Sequence, residues 1–427
     1  MILNILILCS VAVIAAGGRS PNADYVEELA RTNPDLVRKY NYPFEEHFVT
    51  TEDGYILGMH RIPHGRDAHN TPGDRPVAFL MHGVPTSSAD HVIMGPGTGI
   101  AYVLGTTVFF VMGSRRPEYN NKIISMQALA PVAYMAHNSN RVFLRIAPHA
   151  RELAVIASNN TFLIFNIFLE LATRLGLGEF LPRSDIISWV GQTFCRDGAI
   201  SQPLCSGTIF LIAGWNEEEH NATMLPVKLG HTPSGAAFRQ LAHYGQSITD
   251  KQFRRYDFGI LRNLVEYGSA FPPRYDLSRI TAPVFLHYAE RDPFAHVNDV
   301  ERLHRELGNS IGMFRVPQTT FSHVDFMWGN NAKTLVYDRA ISLMRIAPNR
   351  SYSLELKRSC EKEVDCFELS RHDSLNDTIN NALATSDVSA LIELSGNWPV
   401  CGMLHALTHW IRLMSGRLRS VLIILNN

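Results

Sequence analysis

The stretch PVFLHYAERD, residues 283–292, decides the fold. It opens as a short apolar run from Pro283 to Tyr288 and ends in the charged turn Glu290-Arg291-Asp292. A buried parallel strand reads this way, because both its faces are covered and its polar residues emerge at the C-terminal edge. Downstream, Asn298 or Asp299 is placed to cap a helix whose inner face is Val300, Leu303 and Leu307, closed by Gly308. A second strand is expected at residues 313–316, and the loop after it carries Phe321-Ser322-His323-Val324-Asp325-Phe326. An acid after one strand and a histidine after the next is the acid-then-base order of a serine triad on an open α/β sheet, with the nucleophile upstream. Taken singly, an Asp in a turn usually caps or is solvated, and a lone His is usually a surface or satisfied core residue. Their joint placement at two strand ends makes His323 the candidate general base and Asp292 the acid that orients it. Asp325 is the rival acid, but only two residues from His323 it is expected to orient the histidine loop.

The chain of 427 residues can hold one large α/β domain with an insertion, or two smaller domains. A net charge of −1 gives no reason to expect nucleic acid or an acidic partner, and the sequence sets no oligomeric state. Residues 1–18 form an apolar segment with small residues at Ala15, Ala16 and Gly17 before Arg19. They read as a secretory signal peptide, too short for a transmembrane span. Secretion makes the cysteines readable as disulfides. Cys9 leaves with the signal; Cys195 and Cys205 sit close together and are expected to pair. Among Cys360, Cys366 and Cys401 one stays unpaired or bonds another chain. The histidines are scattered and no CxxC occurs, so no metal or cofactor is implied. Sequons stand at Asn159, Asn221, Asn349 and Asn376; Asn221, in the polar EEEHNAT loop, is the strongest glycosylation candidate and Asn159 the next.

Residues 48–51 and 55–60 flank Glu52-Asp53-Gly54 and predict a hairpin turning at Asp-Gly. Residues 77–81 predict a buried strand that ends in His82-Gly83-Val84. Glycine there lets the backbone come close to a reacting group, so the Val84 N–H becomes a candidate oxyanion donor.

From 41 to about 345 the sequence resembles the secreted and lysosomal acid lipase family, which includes gastric lipases and many insect lipases. The resemblance is carried by NYPFEEHFVTTEDGYILGMHRIPHG, FLMHGVPTSSADHVIMGPGTGIAYVL, FFVMGSRRPEYNNKI, ALAPVAYMAH, MLPVKLGHTPSGA, AERDPFAHVNDVERL and FSHVDFMWG. It implies an α/β-hydrolase fold with a helical cap and a Ser-His-Asp mechanism on lipid esters, with a lipid ester or lipid surface as partner. By motif His323 is the base, Asp292 its acid and Val84 an oxyanion donor, while Cys195 and Cys205 resemble the cap disulfide.

The sequence departs from the family at the nucleophile. Where the family has two further strands, a helix and a G-x-S-x-G elbow, Tyr102-Val103-Leu104 runs straight into Gly105-Thr106-Thr107, which resembles the residues just after that elbow. The catalytic serine is absent. Gly308-Asn309-Ser310-Ile311-Gly312 satisfies G-x-S-x-G literally, but it ends a helix and leads into a strand, the reverse of an elbow, so Ser310 is expected to be a loop residue. Ser87 and Ser88 are expected to cap the next helix, and Ser114 to lie in or at the end of the helix after the elbow. Without the two strands the central sheet is incomplete and the strand ending at His82 has both edges unpaired. Buried backbone groups must find partners, so the chain must re-pair, gape or misfold.

The expected organisation is a signal at 1–18, an N-terminal core at 19–137, a cap or lid insertion at 138–276, a C-terminal core at 277–347 with the acid and histidine, and a tail at 348–427. Residues 122–135 are read as the next central strand. The first half of the insertion, with Phe143, Leu144, Ile146, Leu153, Ile156 and the run 162–171, is apolar beyond one helical stripe and suits a lid or acyl-chain surface. In the tail, 404–425 reads as a helix-like segment with no recognisable chemistry. The expected function is that of a secreted or lysosomal lipase-family protein, whose intact relatives act on acylglycerols or sterol esters. This chain is expected to be inactive as written; a non-catalytic lipid binder is the alternative.

Overall fold

The computed structural model describes residues 33–50, 56–66, 77–95, 106–149, 191–347 apart from Gln192, Asp197 and Trp215, and 421–426. The expectations for 1–18, Asn159, Asn349, Asn376, the 52–54 turn, the 102–105 junction, the 162–171 run, Cys360, Cys366, Cys401 and 404–420 lie outside those residues.

Strands β1 (Glu45–Thr50) and β2 (Ile56–Ile62) form the expected antiparallel hairpin, with Glu45 opposite Arg61 and Thr50 opposite Ile56. Strand β3 (Val77–Leu80) follows, then helix α1 (Thr106–Arg115) and strand β4 (Met126–Leu129). Between β4 and its neighbour in the sheet lie α2 (Gln202–Ala213), α3 (Leu225–His231), α4 (Phe238–Asp250) and α5 (Ile260–Tyr267). The chain then returns through β5 (Val284–Tyr288), α6 (Val297–Glu306), β6 (Ser310–Arg315) and α7 (Asp338–Ile346), and β7 (Val421–Asn426) stands near its end.

Strands β4, β5 and β6 pair in parallel in that order. The central strand β5 is buried along its whole length, and Val284, Phe285 and Leu286 have no exposed surface. Each such side chain contributes about 1.5–3 kcal/mol by leaving water, which makes this sheet the core of the molecule. Strand β4 is shorter than the expected 122–135 span. Ala130 leaves the extended region at φ 44°, and Pro131 then denies the ladder an N–H.

Helix α6 presents Val300, Leu303 and Leu307 to the core as its periodicity predicts. Its cap is His296, whose Nδ1 accepts the Asn298 N–H at 3.3 Å, in place of Asn298 or Asp299. Asp299 is engaged elsewhere, accepting the His137 backbone N–H and ring Nδ1–H, both at 2.8 Å. Strand β6 starts at Ser310, so Ser310 is a buried strand residue and not the expected loop residue. Its Oγ bonds His304 Nδ1 at 2.7 Å, at the end of the strand opposite to the histidine loop. Ser87 caps the 3-10 turn Ser88–His91 as expected, whereas Ser88 bonds His60 Nδ1 at 2.8 Å.

The expectation of a buried β3 is overturned: Val77 is 57% and Phe79 38% exposed. Among the described residues no strand joins β3 to β4, so the structure holds two sheets, of order β1-β2-β7-β3 and β4-β5-β6. The first has re-paired one edge of β3, because β7 runs parallel to β3 and antiparallel to β2. The tail therefore supplies a strand at 421–426, where a helix-like segment was expected; its VLIILN sequence is β-branched and aliphatic, which suits a ladder better than a helix.

Ile423 is flanked by Arg61 on one side and Phe79 on the other. Ile423→Pro removes an N–H from the middle of this ladder and is expected to destabilise the first sheet by at least ~1 kcal/mol, the worth of the lost hydrogen bond, read as a lower urea midpoint. An unchanged midpoint would exclude β7 as part of the folded sheet.

Candidate active site

The turn after β5 and the loop after β6 bring Asp292 and His323 together. His323 donates from Nδ1 to Asp292 Oδ2 at 2.7 Å. The other carboxylate oxygen, Oδ1, accepts the N–H groups of Phe294 at 2.8 Å and Ala295 at 2.9 Å, so the acid is fixed by the start of the segment that leads into α6. Asp292 is fully buried on its side chain while His323 is 30% exposed. The Phe294 ring packs edge-on against the imidazole, with centroids 4.9 Å apart. With Nδ1 committed to the acid, Nε2 is the nitrogen left for a proton transfer, and among the described residues no hydroxyl or thiol is hydrogen-bonded to it. Burial works to lower the His323 pKa, but the charge and hydrogen bond of Asp292, with the charge of Asp325 behind it, outweigh burial and hold it above 6.5.

Asp325 takes the orienting part. Its Oδ2 accepts the Ser322 N–H and the Asn216 Nδ2–H, both at 2.7 Å, which ties the histidine loop to the segment after α2. Gly214, at φ 104°, is packed so closely on Ser322 that a Cβ there would sit 1.9 Å from Oγ. Val84 follows β3 on the other sheet and joins Pro85 through a cis peptide bond. The turn is closed by the Thr86 N–H and Oγ1–H on the Gly83 carbonyl at 3.1 and 2.9 Å. The Ser234 N–H bonds the Pro85 carbonyl at 2.9 Å, so the segment after α3 also holds this loop.

Sequence reasoning missed the buried polar cluster between these two loops. Lys228, 2% exposed, donates to the Trp328 carbonyl at 3.4 Å with its ammonium 5.5 Å from the Trp328 ring centre. Asp90 accepts the Thr232 Oγ1–H at 3.1 Å. Glu219 accepts the Asn331 N–H at 2.7 Å and its Nδ2–H at 2.9 Å. Burial pushes the Asp90 and Asp325 carboxyls up to about 6 and the Lys228 ammonium down to about 8, each against the attraction of the opposite charge. A second His–Asp pair, His137 with Asp299, also went unread; Ser139 N–H bonds the Pro293 carbonyl at 3.0 Å, so this pair adjoins the first. The signal available was only a histidine after β4, with no periodicity to mark its partner.

The Cys195–Cys205 disulfide is present. Asn221 is half-buried, and its Oδ1 accepts the Met224 N–H at 3.1 Å. Among the described residues no helix is long and apolar enough to cross a membrane, and no group of side chains could hold a metal ion.

Residues 33–95 match the family model described as a partial alpha/beta-hydrolase lipase region. The chain is 31% identical to Lipase 3 of Drosophila melanogaster over 407 residues, covering 80% of this chain and 97% of that protein. The chain belongs to the acid lipase family of α/β-hydrolases. It is also 26% identical to the human lysosomal acid lipase/cholesteryl ester hydrolase, over 80% of this chain and 96% of that one, and 26% identical to a rat gastric triacylglycerol lipase, over 72% and 90%. Its two short sheets are an α/β-hydrolase fold with an incomplete centre. The Lipase 3 alignment spans 407 positions, whereas 80% of 427 residues is about 340, so tens of positions in that relative have no counterpart in this lipase-family chain. A solved alpha/beta hydrolase fold protein from Nakamurella multipartita aligns at a TM-score of 0.34, with 11% identity over 70% of this chain and 99% of its own.

His323 is expected to titrate above 6.5 by histidine NMR, and Asp292→Asn to bring it below, since burial then acts with less opposition. A titration that Asp292→Asn leaves unmoved would contradict the pairing. The raised carboxyls give a second outcome. In the folded state Asp90 and Asp325 keep protons that the unfolded chain has released above 3.8, so the stability they lend is full below that value and is lost as pH rises through about 6. Buried histidines such as His60 and His287, whose pKa values burial lowers, act in the opposite sense over the same range, so the carboxyl effect is read as a difference: relative to the parent, Asp325→Asn is expected to gain a few degrees of melting temperature between pH ~5 and ~7.

Proposed function

We propose that this chain is a lipase-family protein that retains the base and acid of a serine esterase and does not turn over esters. The reading rests on one observation, the His323 Nδ1 to Asp292 Oδ2 bond at 2.7 Å, with Nε2 lacking a hydroxyl partner among the described residues. In an intact site the elbow serine would attack the carbonyl carbon of an acylglycerol or sterol ester. His323 Nε2 would take the serine proton and return it to the leaving alkoxide, and the imidazolium formed would be held by Asp292. The Val84 N–H would donate to the oxyanion together with an amide just after the serine. In this chain the serine and that second amide are both missing from the sequence. The names of the relatives, a lysosomal acid lipase/cholesteryl ester hydrolase and a gastric triacylglycerol lipase, support a secreted or lysosomal protein of lipid metabolism. The apolar 1–18 segment, the Asn221 and Asn159 sequons and the Cys195–Cys205 disulfide are in keeping with that route. We further assign 138–276 as a cap over the C-terminal ends of β5 and β6, in a core made of 19–137 and 277–347, with 348–427 as a tail that returns a strand to the sheet.

A second reading, a non-catalytic lipid-binding relative, is favoured by the exposed aliphatic side chains of α5, with Leu261 at 83% and Val265 at 85%.

The purified chain is expected to show no hydrolysis of a short-chain p-nitrophenyl ester above buffer. Grafting in the Lipase 3 positions that have no counterpart here is expected to restore turnover, which His323→Ala then lowers by ~10⁴-fold or more. Turnover by the ungrafted chain that His323→Ala abolishes would falsify the proposal.

A further inference from the structure

Helix α5 is built the opposite way round from an ordinary surface helix. Its one buried side chain is polar: Asn263, 1% exposed, donates Nδ2–H to Asp257 Oδ1 at 2.8 Å and to the Ala270 carbonyl at 2.9 Å, and its Oδ1 accepts the Phe258 N–H at 2.9 Å. Tyr267 adds a second anchor through its hydroxyl on the Tyr256 carbonyl at 2.8 Å. The aliphatic side chains lie open: Ile260 is 62%, Leu261 83%, Leu264 49% and Val265 85% exposed, and Phe271 just beyond the helix is 67% exposed. At 100° per residue the four aliphatic positions fall in one arc beside the Asn263 anchor. A folded chain normally buries such an arc, and a contiguous exposed one marks a surface that another phase or partner covers.

The charge around the arc says which. Residues 251–279 carry six cations, Lys251, Arg254, Arg255, Arg262, Arg274 and Arg279, against three acids, in a chain whose net charge is −1. Lys251, Arg262, Arg274 and Arg279 are exposed. The Arg255 guanidinium stacks on the Tyr267 ring at 4.3 Å, and the charge of Arg115, from the end of α1, reaches Tyr267. Asp257 is drawn inward by Asn263 and by the Gly259 N–H at 2.8 Å, and the exposed Glu266 pairs with Arg262 at 3.5 Å, so the surplus of cations over acids in 251–279 leaves the rim of the arc net basic. A second copy on the same arc would set two basic rims face to face, which like-charge repulsion opposes.

We propose that α5 is a docking helix for an anionic lipid bilayer, lying in the interface with Ile260, Leu261, Leu264 and Val265 among the acyl chains and the surrounding arginines at the headgroups. This is the arrangement that an amphipathic helix with a basic border takes at a membrane surface. The inference rests on the lipid-contacting reading above but needs no serine, no base and no ester, so a catalytic result for or against that reading leaves it standing.

The test is co-sedimentation of the purified full chain with vesicles of phosphatidylcholine alone and of phosphatidylcholine with phosphatidylserine, at low and high salt. Partitioning onto the phosphatidylserine vesicles is expected to be stronger by ~10-fold and to weaken as salt rises. Leu261→Asp with Val265→Asp is expected to lower it by ~10-fold or more, with an unchanged circular dichroism spectrum, since both side chains already face outward. Arg262→Glu is expected to lower binding to the anionic vesicles and leave the neutral ones unchanged. The proposal is overturned if the double aspartate variant, still folded, binds as the parent does, or if binding ignores lipid charge and salt. It is equally overturned if the parent is a dimer that the double variant dissociates, which would give the arc to a second copy.

Discussion

The constraint on which the rest of this molecule turns is the missing ladder between β3 and β4. A parallel sheet normally carries the loops at its strand ends in fixed register, because backbone hydrogen bonds run unbroken from one edge to the other. In this chain the described strands form two sheets, so the His82–Val84 loop and the His323 loop are not carried on one ladder. Side chains and turns from 216–234 hold them instead: Asn216 on Asp325, Glu219 on Asn331, Lys228 on Trp328, Thr232 on Asp90 and Ser234 on Pro85. A ladder is neutral and insensitive to pH. This joint contains a buried ammonium and buried carboxyls, whose desolvation cost is offset only while their partners and protonation states match. The joint is for that reason sensitive to pH.

Re-pairing at the edge of β3 follows from the same deficit. A central strand stripped of both neighbours presents two rows of unpaired amides and carbonyls. Strand β7 covers one row and leaves Val77 and Phe79 partly in water. The tail is thereby drawn into the sheet by the requirement that buried backbone groups be bonded, and no chemistry need be assigned to it. By contrast the β4-β5-β6 sheet keeps its full core, which is why the acid and histidine meet in hydrogen-bonding geometry although the scaffold upstream is cut short.

The Asp292–His323 pair is held by its own loops. Asp292 is held by two backbone N–H groups and its histidine is packed by Phe294, so the geometry is maintained by local loop structure and does not depend on a serine. The same acid that orients the imidazole raises its pKa, which moves the onset of any base function to higher pH.

What the sequence determined by itself was everything that local pattern encodes. The buried run 284–288, the inner face Val300, Leu303 and Leu307, the antiparallel pairing of β1 with β2 and the order of Asp292 before His323 were all legible, because strand and helix periodicities and strand-end placement are properties of neighbouring residues. The absence of a G-x-S-x-G in elbow context was legible for the same reason. Tertiary structure decided the rest, since it depends on which distant groups meet. His296 caps α6 while His137 holds Asp299; Ser310 is a strand residue because its backbone is taken into the ladder opposite Val284. Lys228 is buried among carboxyls from other elements, and 421–426 is a strand because β2 and β3 offer it open edges. No spacing rule in one chain specifies such meetings, because the energy that fixes them, desolvation balanced against partners far away in sequence, exists only once the chain has folded.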